Sequence, residues 1–122
     1  MIKIIHKSHG NILGLKATGK LTDTDYKDIL IPGIESVVKE FGKVNFLFYL
    51  DEDFKGWEVS AMWDDFKLGL GKIKNDIAKF ALVSGPLWVQ WAMKLDNYII
   101  HGEVKVFSVD RLEEAWNWLN EN

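Results

Sequence analysis

The chain has 122 residues, 48% of them hydrophobic and 27% charged, with a formal net charge of −3 and no cysteine. This length predicts one globular domain, residues 1–122, that buries a core without metal or disulfide support, and the lack of cysteine excludes thiol nucleophiles and cysteine-ligated zinc. Because lysines are spread along a slightly acidic chain, the composition provides no basic patch for a phosphate backbone and argues against nucleic acid as a partner.

The first elements predicted along the chain are a hairpin and a helix. Ile2 to His6 and Ile12 to Thr18 are short β-branched or apolar runs separated by turn-forming residues, which is typical of two antiparallel strands. Thr22, with Asp25 three residues later, predicts a helix cap. Apolar residues then recur at helical spacing up to Gly42, and Pro32 predicts a kink or two consecutive helical pieces.

The middle of the chain predicts two buried strands and a second helix. Val44 to Leu50 is apolar without alternation, which favours a strand covered on both faces, as in a parallel sheet. An acidic, glycine-containing loop is predicted to begin at Asp51, followed by a helix carrying Trp63. Ile77 to Val83 predicts the next buried strand.

The remaining elements are predicted to be a helix, a strand and a closing helix. Leu87 to Asp96 follows a turn that ends in proline, and Glu103 to Phe107 is the last strand. Asp110 is predicted to cap the closing helix, with Glu113 at the reciprocal capping position. The buried face of that helix is predicted to consist of Leu112, Ala115, Trp116 and Leu119.

The predicted order of elements is β-β-α-β-α-β-α-β-α. Such alternation predicts an α/β fold with a mostly parallel five-stranded sheet, in which the first strand lies antiparallel at an edge. No signal peptide is recognisable, and no apolar run approaches the ~20 residues that a membrane-spanning helix needs. We therefore expect a cytoplasmic protein.

Three segments and the end of the chain resemble the SpoIIAA-like proteins, a family related to STAS domains and anti-sigma-factor antagonists. The residues that carry this resemblance are Gly19-Lys20-Leu21-Thr22 with Asp25-Tyr26 and Pro32; Gly42-Lys43-Val44 with Leu47, Leu50, Asp53-Phe54 and Gly56-Trp57; Ala61 with Trp63-Asp64-Asp65-Phe66-Lys67; and Glu114-Ala115 with Trp118-Leu119. The resemblance implies a β-α superhelix with a mostly parallel sheet, an architecture that CRAL-TRIO lipid-binding domains also use.

The same resemblance bears on regulation by phosphorylation. Anti-sigma-factor antagonists work through a serine in a short Asp-Ser motif after the third strand, whereas this chain has Asp51-Glu52-Asp53 there. Ser60 is the nearest hydroxyl and a weak candidate for the equivalent phosphorylation site. We favour the interpretation that Ser60 is a helix N-cap.

Acidic residues after the third strand do not predict a metal site or a catalytic pair. Asp51, Asp53 and Gly56 fit the start of an EF-hand loop, but Lys55 and Met62 occupy positions that need oxygen ligands. Without a paired base, a nucleophile or a metal set, we predict a non-enzymatic domain that has no catalytic residues, bound metal or cofactor.

Tryptophan and a helix that is apolar on two sides suggest a binding surface instead. The chain contains six Trp, an excess that needs either an aromatic core or an apolar partner. In the predicted helix Leu87 to Asp96, apolar side chains point to both sides, so a second contact with lipid, ligand or another subunit competes with plain core packing. The candidate ligand- or membrane-binding residues are Phe54, Trp57, Leu68, Trp88, Val89, Trp91 and Met93.

Two functions remain open from the sequence. The first is a non-catalytic SpoIIAA-like domain that binds an apolar small molecule or lipid, or associates peripherally with a membrane. The alternative is a regulatory protein-interaction module of the anti-sigma-factor-antagonist type, which uses the same surface on a partner protein or in a homodimer.

Overall fold

The computed structural model describes residues 1–5, 8–57, 75–85 and 102–121. The predicted helices that carry Trp63 and that run from Leu87 to Asp96 lie outside the described residues. The described strands are β1 (Ile2–Ile4), β2 (Ile12–Leu21), β3 (Val44–Trp57), β4 (Ile77–Ser84) and β5 (Glu103–Ser108). The described helices are α1 (Asp23–Asp25), a π-helical segment (Tyr26–Leu30), α2 (Ile31–Phe41), a 3₁₀ turn (Val109–Arg111) and α3 (Leu112–Asn120).

The five strands form one mixed sheet in the order β1-β2-β3-β4-β5. β1 pairs antiparallel with β2, and Ile2 lies opposite Ala17. The pairs β2–β3, β3–β4 and β4–β5 are all parallel. The predicted α/β class, the parallel sheet and the antiparallel edge strand are therefore confirmed.

Side chains on the two faces of the sheet enter two separate cores. Alternate residues of β3, such as Phe46 and Phe48, join the cluster that packs under the π-helical segment and α2, whereas Leu47 joins the cluster under α3. All three are at most 1% exposed. Because both faces are covered, β3 from Val44 to Leu50 carries no hydrophobic alternation, as the prediction required.

Proline and a capping box shape the helical region between β2 and β3. The Thr22 hydroxyl accepts a hydrogen bond from the Asp25 N–H, and the Asp25 carboxylate accepts one from the Thr22 N–H, both at 3.1 Å. Pro32 lies in the first turn of α2, directly after the π-helical segment. Since proline has no N–H to donate, the widened π turn accommodates it, and the predicted division of the helix at Pro32 is confirmed.

Two predicted boundaries were wrong. β2 does not stop at Thr18 but continues to Leu21, and the acidic segment predicted as a loop from Asp51 belongs to β3, which extends to Trp57. The physical reason is the same for both strands. The end of β2 and the end of β3 pair with each other, and Leu21 lies opposite Trp57.

The start of the last helix also differs from the prediction. Arg111, not Asp110, occupies the N-cap position of α3, and no side chain there makes a capping hydrogen bond. Asp110 lies in the preceding 3₁₀ turn, where a hydrogen bond from the Ser108 side chain holds the pKa of the Asp110 carboxyl below its ordinary value. Because the Asp110 carboxylate accepts its hydrogen bond within the 3₁₀ turn, it does not cap the helix.

Three of the four residues predicted for the buried face of α3 are buried. Ala115, Trp116 and Leu119 are at most 4% exposed, whereas Leu112 is only half-buried. Trp118, which was not predicted there, is 7% exposed. Its ring centroid lies 6.2 Å from that of Phe107 in β5.

Candidate functional site

The parallel strands β3, β4 and β5 reach the same level at one end of the sheet. Leu50 lies opposite Ser84, and Ser84 lies opposite Ser108. In open α/β sheets, ligands bind outside the carboxyl ends of the strands. This end of the sheet is therefore the place where a binding surface is expected.

Beyond this level β3 continues for another seven residues, residues 51–57, which we call the β3 extension. It pairs with the end of β2, but with an irregular register. Ala17 lies opposite Leu50 and Gly19 opposite Phe54, so four steps along β3 match two along β2. The surplus residues form a bulge, a device that commonly redirects side chains near functional sites.

Glycine allows β2 to follow this irregularity. Gly19 has a φ of +65°, a backbone conformation that other residues adopt only with strain. Its neighbour across the pair is Phe54, whose side chain is half-buried and packs against the core under the π-helical segment and α2. Gly19 thus accommodates the bend, and Phe54 anchors the extension to the core.

The bulge is held on its other side by Asp51. The Asp51 Oδ1 atom accepts a hydrogen bond of 2.9 Å from the Asp53 N–H, which closes a tight Asx turn. The Asp51 Oδ2 atom lies 3.7 Å from Lys16 Nζ of β2, and the Asp51 side chain is only 9% exposed. The same ammonium lies 6.0 Å from the centre of the Tyr49 ring.

This arrangement leaves two acidic side chains on the surface. Glu52 and Asp53 are exposed, and none of the described basic groups forms an ion pair with either. Lys16 compensates the charge of Asp51, which is the least exposed of the three carboxylates. The bulge therefore carries two exposed carboxylates, followed by the exposed Lys55, and is held in place by backbone and side-chain contacts.

A second anchored carboxylate lies at the start of α1, next to the end of β2. Burial raises the pKa of Asp25, but hydrogen bonds from Thr22 and from the amino group of Met1 outweigh it, so the net pKa lies below the ordinary value of an aspartate. The Met1 nitrogen lies 3.2 Å from Asp25 Oδ2. Because these contacts stabilise the turn between β2 and α1, Asp25 has a structural role next to the site.

Few of the sequence-predicted binding residues can be placed in this structure. Phe54 lies within the described residues, and its half-buried side chain packs against the core. Trp57 is the last residue of β3, and its backbone lies opposite that of Leu21. Lying outside the described residues are Leu68, Trp88, Val89, Trp91, Met93 and Ser60. The predicted groove between them remains a prediction.

Sequence reasoning missed the pairing of Lys16 with Asp51. A signal was present, because Lys16 is the charged residue that interrupts the otherwise apolar start of β2, Ile12 to Ala17. A second missed feature is Asn45, whose Nδ2 donates a hydrogen bond of 2.9 Å to the Leu119 carbonyl. Its buried Oδ1 has no partner among the described groups. Its sequence signal was a single amide side chain, Asn45, within the otherwise apolar run Val44 to Leu50.

Within the described ranges, no group of three or more His, Cys, Asp or Glu residues is placed to hold a metal ion. The same part of the chain contains no helix that is long and apolar enough to cross a membrane. The arrangement found is an anchored, negatively charged strand extension, whose chemistry suits recognition of a basic surface.

Comparison with known proteins agrees with the fold. The SpoIIAA-like family model matches residues 12–120. The chain is similar to the crystal structure of an uncharacterized protein of the DUF3478 family with a SpoIIAA-like fold, from Shewanella loihica PV-4. The two are 30% identical with a TM-score of 0.70, and the match covers 97% of this chain and 93% of that one. No curated protein matches the chain. The chain therefore belongs to the SpoIIAA-like family.

Proposed function

We propose that this domain is a non-catalytic regulatory module of the STAS type, which binds a partner protein through the β3 extension. The observation that carries the proposal is the anchored acidic bulge. Asp51 is held by Lys16 and by the Asp53 N–H, while Glu52 and Asp53 point their charges to solvent.

Pre-organisation makes such a surface suited to recognition. Ordering a flexible loop on binding costs free energy, and a strand extension that is already paired with β2 avoids much of that cost. Exposed charges also steer an oppositely charged partner and suppress wrong ones. The partner surface is therefore expected to be basic, and binding is expected to weaken as salt increases.

Membership of the family supports the regulatory interpretation, since the resemblance to anti-sigma-factor antagonists implies action through protein contacts. The extension lies at the carboxyl ends of the strands, where open α/β sheets bind their ligands. In the resemblance, Asp51-Glu52-Asp53 corresponds to the segment in which those antagonists carry their Asp-Ser motif. Recognition through fixed carboxylates would need no phosphorylation of Ser60.

The test is affinity capture with the purified domain, identification of the bound protein, and titration calorimetry with that protein in purified form. The variant is the double charge reversal Glu52→Lys and Asp53→Lys. The matched control is Glu35→Lys with Glu40→Lys, which makes the same change of charge at exposed positions of α2. We expect the first pair to weaken binding by about tenfold or more, and the control pair to change it by much less.

The outcomes separate clearly. A partner that binds the Glu52/Asp53 variant as tightly as the original protein would contradict the proposal, as would equal losses in both variants. Failure to find any specific partner under low salt would also count against it.

An apolar ligand or a lipid surface is the second candidate, and it would make the protein peripherally membrane-associated. It is supported by the half-buried Phe54 beside the extension and by the resemblance to the CRAL-TRIO architecture. The tryptophan argument is weaker than the composition suggested, because Trp116 and Trp118 are core residues at 4% and 7% exposure. Co-sedimentation with liposomes, using Trp88→Ala and Trp91→Ala variants, tests it; no binding to anionic or neutral vesicles argues against it.

A further inference from the structure

β5 forms an edge of the sheet. It pairs with β4 on one side, from Lys79 opposite Glu103 to Ser84 opposite Ser108, and no described strand lies on its other side. An edge strand presents main-chain N–H and C=O groups that can pair with another strand. β5 is six residues long, so this edge is long enough to form a ladder with a second chain.

From Glu103 to Val106, the side chains of β5 alternate between charged and apolar. Glu103 and Lys105 are exposed on the α3 face, and Lys105 Nζ lies 5.0 Å from the Trp118 ring. Val104 and Val106 are partly buried against the core on the opposite face. The charge of Lys105 alone would disfavour pairing with a second strand. Glu103, two residues away, provides the opposite charge that could face Lys105 of a second chain.

We propose that two copies of this chain associate through β5, antiparallel, with the two-fold axis at Val104. In this register Glu103 of each copy lies opposite Lys105 of the other, so two opposite-charge pairs form on the α3 face. The two Val104 side chains meet on the other face. Their β-branched shape suits a cross-strand pair.

Symmetry leaves few other registers. In a continuous antiparallel sheet, residues that lie opposite each other point to the same face. A two-fold axis perpendicular to the sheet must therefore pass between one residue and the same residue of the second copy. An axis at Glu103 or at Lys105 would bring like charges face to face. An axis at Val106 would place Lys105 opposite Phe107. Val104 is the position that pairs the charges.

The association is expected to be weak. Residues 102–106 would form about four to six main-chain hydrogen bonds with their symmetry mates. The strand alone buries less than the roughly 1,200–2,000 Å² of a standard interface. We therefore expect a concentration-dependent dimer with a dissociation constant on the order of micromolar, weakened by salt.

Analytical ultracentrifugation over a range of concentrations tests the proposal with charge variants. Glu103→Lys and Lys105→Glu each replace both opposite-charge pairs with like-charge pairs, and each is expected to raise the dissociation constant about tenfold or more. The double variant, Glu103→Lys with Lys105→Glu, exchanges the charges and should restore the dimer. Mixing the two single variants should give a heterodimer. Glu35→Lys on α2 is the control for net charge.

Circular dichroism of each variant shows that folding is retained, which matters for Lys105 because of its contact with Trp118. Glu103→Lys provides the test at a position for which no such ring contact is found among the described residues. A protein that stays monomeric up to about millimolar concentration overturns the proposal, as does a dimer that both single variants leave unchanged. A double variant that fails to recover overturns the register. The β3 extension is two strands away across β4, so these outcomes are independent of the proposed partner site.

Discussion

Gly14 of β2 lies beneath the indole of Trp116, and this contact allows a quantitative test of how α3 docks on the sheet. A methyl group added at Gly14 would lie 2.5 Å from Cη2 and 3.0 Å from Cζ2 of Trp116, and 3.4 Å from Cβ of Ile5. The first distance is far inside van der Waals contact, and Trp116 is only 4% exposed. Gly14→Ala must therefore push the indole, and with it α3, away from the sheet.

Overpacking of a close-packed core typically costs about 1–3 kcal/mol. We expect Gly14→Ala to lower the free energy of unfolding by about that amount, with the upper half of the range favoured because one ring atom overlaps directly and Trp116 is itself buried. For a chain of this length, each kcal/mol corresponds to a fall in Tm of roughly 4 °C.

Urea unfolding followed by circular dichroism measures the effect, and a double-mutant cycle with Trp116→Phe identifies its cause. Removing part of the indole should relieve the overlap, so the double variant should be more stable than the sum of the two single changes predicts by about 1 kcal/mol or more. Gly33→Ala in α2 is the matched control. Its added methyl would lie 3.7 Å from Leu13 Cδ2, an ordinary contact, and the helix should gain about 0.5–1 kcal/mol.

The reasoning would be refuted by a Gly14→Ala variant whose unfolding free energy differs from that of the parent protein by less than about 0.5 kcal/mol. Strict additivity of Gly14→Ala with Trp116→Phe would refute it as well. Either result would mean that the indole does not lie against β2 in solution.

Two further predictions concern single polar groups. Because the folded pKa of Asp25 lies below the ordinary value of an aspartate, its stabilisation is present above the unfolded pKa and is lost as the pH falls through the folded pKa; Asp25→Asn should cost about 1 kcal/mol at pH 7, and this cost should shrink as the pH is lowered through the folded pKa, measured by urea unfolding at each pH. Lys79 Nζ donates hydrogen bonds of 2.8 and 2.9 Å to the Trp118 and Glu121 carbonyls. Lys79→Met should cost about 1–2 kcal/mol. Within the chain, Lys105→Met removes a ring contact, so it should cost the monomer less than about 1 kcal/mol in the same assay; equal losses would contradict the role of the carbonyl contacts.

Local patterns were sufficient to predict most described elements. Val44 to Leu50 has no alternation because both faces are covered, and that is a property of the run itself. Thr22 and Asp25 form the predicted capping box because their partners are each other's backbone amides, three residues apart. Gly42 ends α2 with a φ of +85°, which few other residues adopt without strain.

The β3 extension shows where such patterns fail. Aspartate and glutamate are uncommon in β-strands, which is why Asp51, Glu52 and Asp53 were predicted as a loop. They lie in a strand because β2 continues beside them and because Lys16 compensates Asp51 from across the pair. Neither fact is visible within a short window of sequence, since the two segments are more than thirty residues apart in the chain.

A similar limit applies to the last helix. Helical spacing placed Leu112 on the buried face, but α3 begins after a 3₁₀ turn. Trp118 is buried because Phe107 lies beside its ring and because Lys79 and Lys105 lie near it. These partners come from two different strands, so the periodicity of the helix alone does not identify them.

By itself, the sequence determined the α/β class, the two-sided burial of the central strands and the capping of the first helix, because each depends on residues close together in the chain. Tertiary structure alone decided the order of the strands, the extension of β3 past its neighbours, the Lys16–Asp51 pair and the edge position of β5. The physical reason is that these features depend on which distant segments lie side by side. Strand pairing and charge compensation act between neighbours in space, whatever their separation in sequence.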